Sequence, residues 1–139
     1  MSTLLQDLVL ISEARYHQSP ERRFWKFVHA ANWTSDHDYN RIQDMLERIG
    51  KANALELYNV YNELSKKLSD HLWDPIRGVS DDGFSDLVAH TIGSGEQVYY
   101  AVMKDWNVAQ KMVNKYQYQE GFQYIWHVLY DRGWLKSRW

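Results

Sequence analysis

The chain contains no cysteine, so a disulfide framework, a thiolate metal site and a cysteine nucleophile are all excluded. Absence of cysteine is compatible with a reducing compartment. Long apolar runs are also missing, since no stretch approaches the ~20 apolar residues that span a bilayer. The apolar run in residues 1–11 is interrupted by Gln6 and Asp7, and it lacks the basic start and cleavage site of a signal peptide. We therefore expect a soluble, cytoplasmic protein without a membrane partner.

Neither basic nor acidic residues are in large excess. The 16 Lys and Arg residues and the 18 Asp and Glu residues are interspersed, and the formal net charge is −2. Nucleic-acid-binding domains usually carry a basic surplus or a basic stripe. The charge pattern therefore argues against a nucleic-acid partner.

Proline and glycine are scarce, at 2 and 7 residues, and they fall between segments of helical periodicity. No segment alternates Val, Ile or Thr with polar residues over the length of a strand. The length of 139 residues is a common domain size, and 45% hydrophobic with 24% charged residues is typical of a globular chain. The sequence predicts one all-α domain over residues 1–139, a compact bundle of about six to seven helices.

Residues that start and stop helices bound most of the periodic segments. The predicted helices are one ending near Tyr16, one starting after Ser19, one opened by Thr34 and Ser35, one capped by Asn53 with Glu56, one beginning at Ser80, one over Glu96–Lys104 and one over residues 119–132. Glycines at 50, 93 and 133 are predicted helix stops. Residues 106–116 fit either a short helix or a loop.

Aromatic residues are abundant, at 15% of the chain with 7 Trp and 10 Tyr. Large rings can fill a small core or dominate a binding face, and composition does not separate these uses. The apolar helix positions place four rings in or beside one shared core, namely Trp73, Phe84, Tyr99 and Phe122.

A series of short motifs runs through most of the chain. In order, they are Phe24-Trp25, Leu72-Trp73, Ser80-Asp81-Asp82-Gly83-Phe84 and Gly95 with Val98-Tyr99. This series resembles the bacterial domain-of-unknown-function-4240 family, and the resemblance extends over about residues 24–133. The chain departs from the family pattern at Arg77-Gly78-Val79, where the family tends to show two glycines and a cysteine, and at Asp105-Trp106-Asn107. The resemblance implies a fold unit and carries over no activity.

Ser80-Asp81-Asp82 is the sharpest polar cluster. One hypothesis makes the two carboxylates a metal or acid–base pair, joined by His71 or His90. Neighbouring carboxylates on a helix point about 100° apart, however, which suits one shared ion poorly. We favour the simpler interpretation that Ser80 caps a helix and the two acids complement the positive end of its dipole.

Other signatures of catalysis are missing from the sequence. The six histidines are scattered, and no pair has the His-x-x-x-His spacing that places two ligands on one helix face. Neither a Gly-x-Ser-x-Gly elbow nor a phosphate-binding glycine loop is present. We therefore predict no catalytic residue, no metal ligand and no cofactor.

The C-terminal residues 132–139 combine basic side chains with two tryptophans. Trp134, Arg138 and Trp139 are candidate partner-binding residues, because Trp and Arg dominate the binding energy of many interfaces. The alternative is a tail that folds back and packs its rings on the domain. A second basic group, Arg22-Arg23 with Lys26, is predicted to be a solvated helix face.

Two classes of function follow from these observations. The first is a non-enzymatic binding module that engages a protein partner, or a second copy of itself, through aromatic residues. A neutralising or immunity-type partner is one concrete form of it. The second is a small enzyme or metal-binding protein that uses Asp81 or Asp82 with a histidine from another helix. We carry the first forward as the prediction.

Overall fold

The structure, a computed structural model, describes residues 18–119 and 121–136, with the backbone alone of Asp36. This part of the chain contains seven α-helices, two short 3₁₀ helices and no strand. The α-helices are α1 (Pro20–Ala31), α2 (Tyr39–Ile49), α3 (Lys51–Leu72), α4 (Asp81–Gly93), α5 (Glu96–Lys104), α6 (Asn107–Asn114) and α7 (His127–Asp131). The first 3₁₀ helix covers Asp36–Asp38 and the second covers Gly121–Trp126. The prediction of an all-α bundle of six to seven helices is confirmed.

Some sequence predictions on helix bounds are tested directly. The helix predicted to end near Tyr16 lies outside the described residues. Residues 106–116, for which the sequence predicted either a short helix or a loop, contain α6. None of the helices within the described ranges is long and apolar enough to cross a membrane.

The central element is α3, which is 22 residues long and packs against α1, α2, α4 and α7. Its apolar positions recur every three or four residues and are buried. The charged positions at 63, 66, 67 and 70 are exposed on the other side. The predicted cap of Asn53 with Glu56 is wrong. The helix already begins at Lys51, and the Asn53 amide donates to the Ile49 carbonyl oxygen at 2.9 Å.

The second 3₁₀ helix packs between α2 and α4, where the sequence predicted one continuous α-helix over residues 119–132. That prediction is wrong, because only His127–Asp131 is α-helical. In a 3₁₀ helix, side chains three residues apart lie one above the other. Phe122 and Ile125 have this spacing, and both are fully buried. Burial of side chains spaced three residues apart accounts for a 3₁₀ helix here in place of an α-helix.

The core is rich in ring-to-ring contacts. Tyr61 on α3 lies 5.9 Å from Phe122 and 5.2 Å from Trp126, measured between ring centroids. Tyr99 and Phe122 are buried as predicted, and Phe84 is partly buried against the core. The placement of Trp73 in the core is wrong, since 63% of its surface is exposed. Trp73 keeps helical backbone angles and donates its N–H to the Ser69 carbonyl oxygen. It therefore lies on the side of α3 that carries the exposed Lys66 and Asp70, away from the core.

The start of α2 also differs from the prediction. Thr34 and Ser35 precede the first 3₁₀ helix, and α2 begins only at Tyr39. The Asp38 carboxylate accepts hydrogen bonds from the Thr34 backbone N–H at 2.9 Å and the Thr34 hydroxyl at 3.0 Å. The Thr34 N–H, with smaller contributions from Arg41 and the N–H of Ser35, lowers the pKa of Asp38 to about 2. Asp38 thus closes the turn that leads into α2.

Gly93, the last residue of α4, allows the closest approach in the core. A Cβ atom placed there would lie 2.6 Å from Cγ of Phe122 and 2.8 Å from Cε3 of Trp33. Both neighbours are buried rings, which have little room to move. The position of α4 relative to the second 3₁₀ helix therefore depends on residue 93 being a glycine, which has no side chain.

Replacing Gly93 with Ala is expected to lower the free energy of unfolding by about 1–2 kcal/mol, because the added methyl group overpacks the core. Urea denaturation measures this change. Ser85→Ala, at an exposed position of the same helix, is the matched control and is expected to be close to neutral. Equal stability of Gly93→Ala and wild type would contradict the close approach.

Replacing Asp38 with Ala is expected to destabilise the protein at neutral pH and progressively less in acid. The folded pKa lies below the unfolded value of 3.8, so the stabilisation is present above about pH 4 and is lost as the pH falls towards 2. Unfolding free energies measured from pH 7 to 2 test this trend. The control is Asp44→Ala within α2, at an exposed site that pairs with Arg48. A wild-type advantage that persists at pH 2 would count against the assigned turn.

Candidate functional site

Ser80-Asp81-Asp82 forms the start of α4. The Ser80 Oγ accepts a hydrogen bond from the backbone N–H of Gly83 at 3.1 Å, so the predicted cap is confirmed. Asp81 and Asp82 lie in the first turn and are exposed. Their charges complement the positive end of the helix dipole.

The two histidines of the alternative site each bind a backbone group of another segment. The His71 Nε2 lies 2.9 Å from the Val102 carbonyl oxygen, which joins the end of α3 to α5. The His90 Nδ1 accepts from the Gln119 backbone N–H at 3.0 Å. His90 and Asp82 occupy opposite ends of α4, about 12 Å apart at 1.5 Å per residue. Over residues 18–119 and 121–136, no three His, Asp or Glu side chains converge as metal ligands would.

The C-terminal candidates are only partly described. Trp134 is half-buried, packs against the core, and donates its backbone N–H to the Leu129 carbonyl oxygen at 2.8 Å. This placement agrees with a tail that folds back. Arg138 and Trp139 lie outside the described residues.

The basic group of α1 is divided between surface and core. Arg22 and Lys26 lie at the surface, but Arg23 is only 5% exposed, so its predicted solvation is wrong. Its Nε donates to the Glu56 carboxylate at 3.2 Å, and its Nη2 contacts the other oxygen. A buried guanidinium needs such a two-point partner because desolvation of a charge is costly. The Arg23–Glu56 ion pair links α1 to α3.

A group of aromatic residues that the sequence did not predict as a surface lies where α3 ends and α4 begins and on either side of α6. We call this group the end face: Trp73, Phe84, Trp106 and Tyr116. The Trp73 ring stands edge-on to Phe84, with 5.3 Å between centroids and a 90° interplanar angle. Trp106 and Tyr116 flank α6, and α6 is held to the loop after Trp73. In that contact the Arg77 N–H donates to the Gln110 side chain at 2.8 Å, and Gln110 donates back to the Arg77 carbonyl oxygen at 2.9 Å.

The Trp73 side of the end face is acidic as well as aromatic, whereas the segments next to Trp106 and Tyr116 carry Lys104, Lys111 and Lys115. Residues 73–83 carry three carboxylates, at Asp74, Asp81 and Asp82, against the single guanidinium of Arg77. Within the described part of the chain, none of the three carboxylates forms an ion pair. The Arg77 side chain donates instead to the backbone oxygens of Asp74 and Ile76. The sequence signal for the exposed ring was helical periodicity, since Trp73 falls seven residues after Lys66 and three after Asp70, on the charged side of α3.

A concave site, which we call the α1 cleft, lies between α1 and the turn from α4 to α5. Its volume is about 680 Å³. The walls include the rings of Trp25 and Trp33 and the basic side chains of Arg22, Lys26 and His29. Because the lining residues come from separate segments of the chain, no local sequence motif predicts the cleft.

Comparison with known proteins identifies a family for the chain. The family described as "Protein of unknown function (DUF4240)" has a sequence model that matches residues 20–132. No curated protein and no solved structure matches the chain. The matched range includes all the α-helices of the described residues, the end face and the lining of the α1 cleft. The chain therefore belongs to the DUF4240 family.

Proposed function

We propose that this protein is a cytoplasmic, non-enzymatic binding module that engages a basic protein partner through the end face. The observation that carries the proposal is Trp73, a large ring that is 63% exposed beside three carboxylates without ion pairs in the described chain. Tyr116, at 87% exposure, is a second exposed ring of the end face and follows the end of α6.

The chemistry of the end face suits arginine and lysine side chains. A cation over a tryptophan ring is attracted by the negative face of the π system. Carboxylates next to the ring attract the same cation and raise the rate of association with a basic surface. The contact with Phe84 restrains Trp73 before binding, so less conformational entropy is lost on association.

The charge of the end face bears on the choice between a different protein and a second copy. Two copies that met through the Trp73 side of this face would bring like carboxylates together, which is costly at an interface. The proposal therefore takes a different, basic protein as the partner. A neutralising or immunity-type module, which covers a basic surface of another protein, is one form of this function.

Replacing Trp73 with Ala is expected to weaken partner binding about 30-fold or more, as removal of a central interface tryptophan does. The measurement is affinity capture from the source cell with wild-type and variant bait, followed by titration of the captured protein. Tyr100→Ala is the matched control, since Tyr100 is a half-exposed ring outside the end face. The expected partner is basic and is retained by wild type and Tyr100→Ala. A partner bound equally well by Trp73→Ala would refute the assignment of the surface.

The competing hypothesis of a metal or catalytic site at Asp81 and Asp82 makes different predictions. Because Ser80 caps α4, replacing it with Ala is expected to lower the free energy of unfolding by ~0.5–2 kcal/mol. Asp82→Asn is expected to cost less, and only at low salt, because the helix dipole is screened. Divalent metal is expected to leave the melting temperature of wild type unchanged. A metal-dependent rise in wild type that disappears in Asp82→Asn would support the competing site.

A further inference from the structure

Two segments that contribute to the end face carry opposite charge. Residues 73–83 contain three aspartates and one arginine, a formal net charge of −2. Residues 104–116 contain three lysines and one aspartate, a formal net charge of +2. All eight of these charged side chains are exposed. We call the two segments the acidic side and the basic side of the end face, and they are equal and opposite in charge.

The acidic side and the basic side adjoin each other. The backbone N–H of Arg77 donates to the Gln110 side chain at 2.8 Å, and that side chain donates back to the Arg77 carbonyl oxygen at 2.9 Å. A Cβ atom placed on Gly78 would lie 4.0 Å from Cγ1 of Val113, so the loop backbone passes close to α6. The helix α4, which begins in the acidic side, also packs against α6. The two sides therefore form one continuous surface.

Neither side is neutralised within the part of the chain that the structure describes. The ion pairs there join other residues, and none includes a carboxylate of the acidic side or a lysine of the basic side. Asp105, the one acid of the basic side, accepts the Asn107 backbone N–H at 3.0 Å and is engaged at the start of α6. The opposite charges thus lie on adjoining segments without pairing with each other. Both sets remain available to a second molecule of opposite charge.

Exposed rings accompany the charges on both sides. Trp73 is 63% exposed on the acidic side, and Trp106 and Tyr116 are 36% and 87% exposed on the basic side. Trp and Tyr are enriched among the residues that dominate the binding energy of interfaces. The ammonium group of a lysine is attracted to the face of a tryptophan ring. This chain therefore presents a tryptophan among acids on one side and the lysines that suit it on the other.

We propose that a second copy of this chain docks on the end face, with the acidic side of each copy against the basic side of the other. Because the two sides adjoin, one two-fold axis between them makes both contacts at once, as in other isologous dimers. Opposite charges meet in this arrangement, so it avoids the contact of two acidic sides. Each copy supplies the other with the lysines that suit the Trp73 ring.

The dimer is weak, and it regulates access to Trp73. Only 15 residues of the two sides are exposed, fewer than the ~20–30 residues a side of a standard interface. Attraction between exposed charges is screened by salt, so dimerisation depends on salt concentration. The dimer covers the surface that the proposed function assigns to a basic partner, and this regulatory role rests on that function. Self-association itself does not.

Sedimentation velocity of the full-length protein tests the dimer without any other partner. Samples span about 5 µM to about 1 mM protein, since a weak dimer dissociates in the lower part of that range. At about 50 mM salt, the sedimentation coefficient is expected to rise with concentration from the monomer value towards the dimer value. At about 500 mM salt, the dissociation constant of the dimer is expected to be about tenfold higher or more.

Charge reversal identifies the two sides. Lys111→Glu with Lys115→Glu makes both sides acidic, and Asp74→Lys with Asp81→Lys makes both sides basic. Each double variant alone is expected to stay monomeric, because like charges then face each other. An equimolar mixture of the two variants is expected to form a heterodimer, because every contact again joins opposite charges.

A matched control carries the same change of charge elsewhere on the molecule. Lys26→Glu with Lys51→Glu reverses two exposed lysines. Lys26 lies on α1, one turn after the Arg23 that pairs with Glu56 near the start of α3, and Lys51 is the first residue of α3. Trp73 follows the opposite end of that helix. The control is therefore expected to dimerise like the wild type.

Three results would overturn the dimer: a monomer at every concentration at low salt, self-association that persists in both double variants, and a mixture of the two variants that stays monomeric. The capture experiment separates this inference from the proposed function. Bait with Lys111→Glu and Lys115→Glu keeps Trp73 and the three aspartates, so it is expected to retain the basic partner although it does not dimerise. Capture that does not depend on Trp73 would count against the proposed function and leave the dimer standing.

Discussion

The ring of Phe122 packs against three other segments of the bundle. It lies against the backbone of Gly93, 5.6 Å from the Trp33 ring and 5.9 Å from the Tyr61 ring, the last two measured between centroids. Through these contacts one side chain connects the second 3₁₀ helix to α4, to the segment after α1 and to the central α3. Dense packing of this kind transmits any shift of one element to its neighbours. The end of α4, and with it the α4–α5 turn that walls the α1 cleft, is located by this contact.

Features that depend on neighbouring residues were predictable from the sequence. Ser19 and Ser80 cap α1 and α4 as expected, because a cap needs only an N–H three residues ahead. Asn53 and Glu56 have the same local spacing, yet Glu56 binds Arg23 on a distant helix. Where a residue on another helix binds one member of the pair, the local spacing does not decide the contact. A single sequence does not show which distant residue that is. The second 3₁₀ helix likewise owes its shape to tertiary packing.

The candidate sites were less predictable than the helices for the same reason. Trp73 carries the same ring as the buried Trp126, but it lies on the charged side of α3, in line with Lys66 and Asp70, and is exposed. Trp106 belongs to the same surface because hydrogen bonds of Gln110 hold α6 to the loop after Trp73. The α1 cleft joins residues about 70 positions apart, a separation at which periodicity carries no information. Spacing predicts which side of a helix is apolar, and tertiary contacts decide which polar groups meet.

The corner between α2 and α3 has a consequence for how the chain folds. Gly50, with φ of 88°, is the only residue between these helices, and it serves both as the end of one and as the start of the other. Bringing the two helices together closes almost no loop, so the entropy cost of the contact is small. Contacts this local in sequence form early in folding. We therefore expect the α2–α3 corner to be the nucleus around which the remaining helices assemble, with the slowest amide hydrogen exchange in the buried turns next to Gly50.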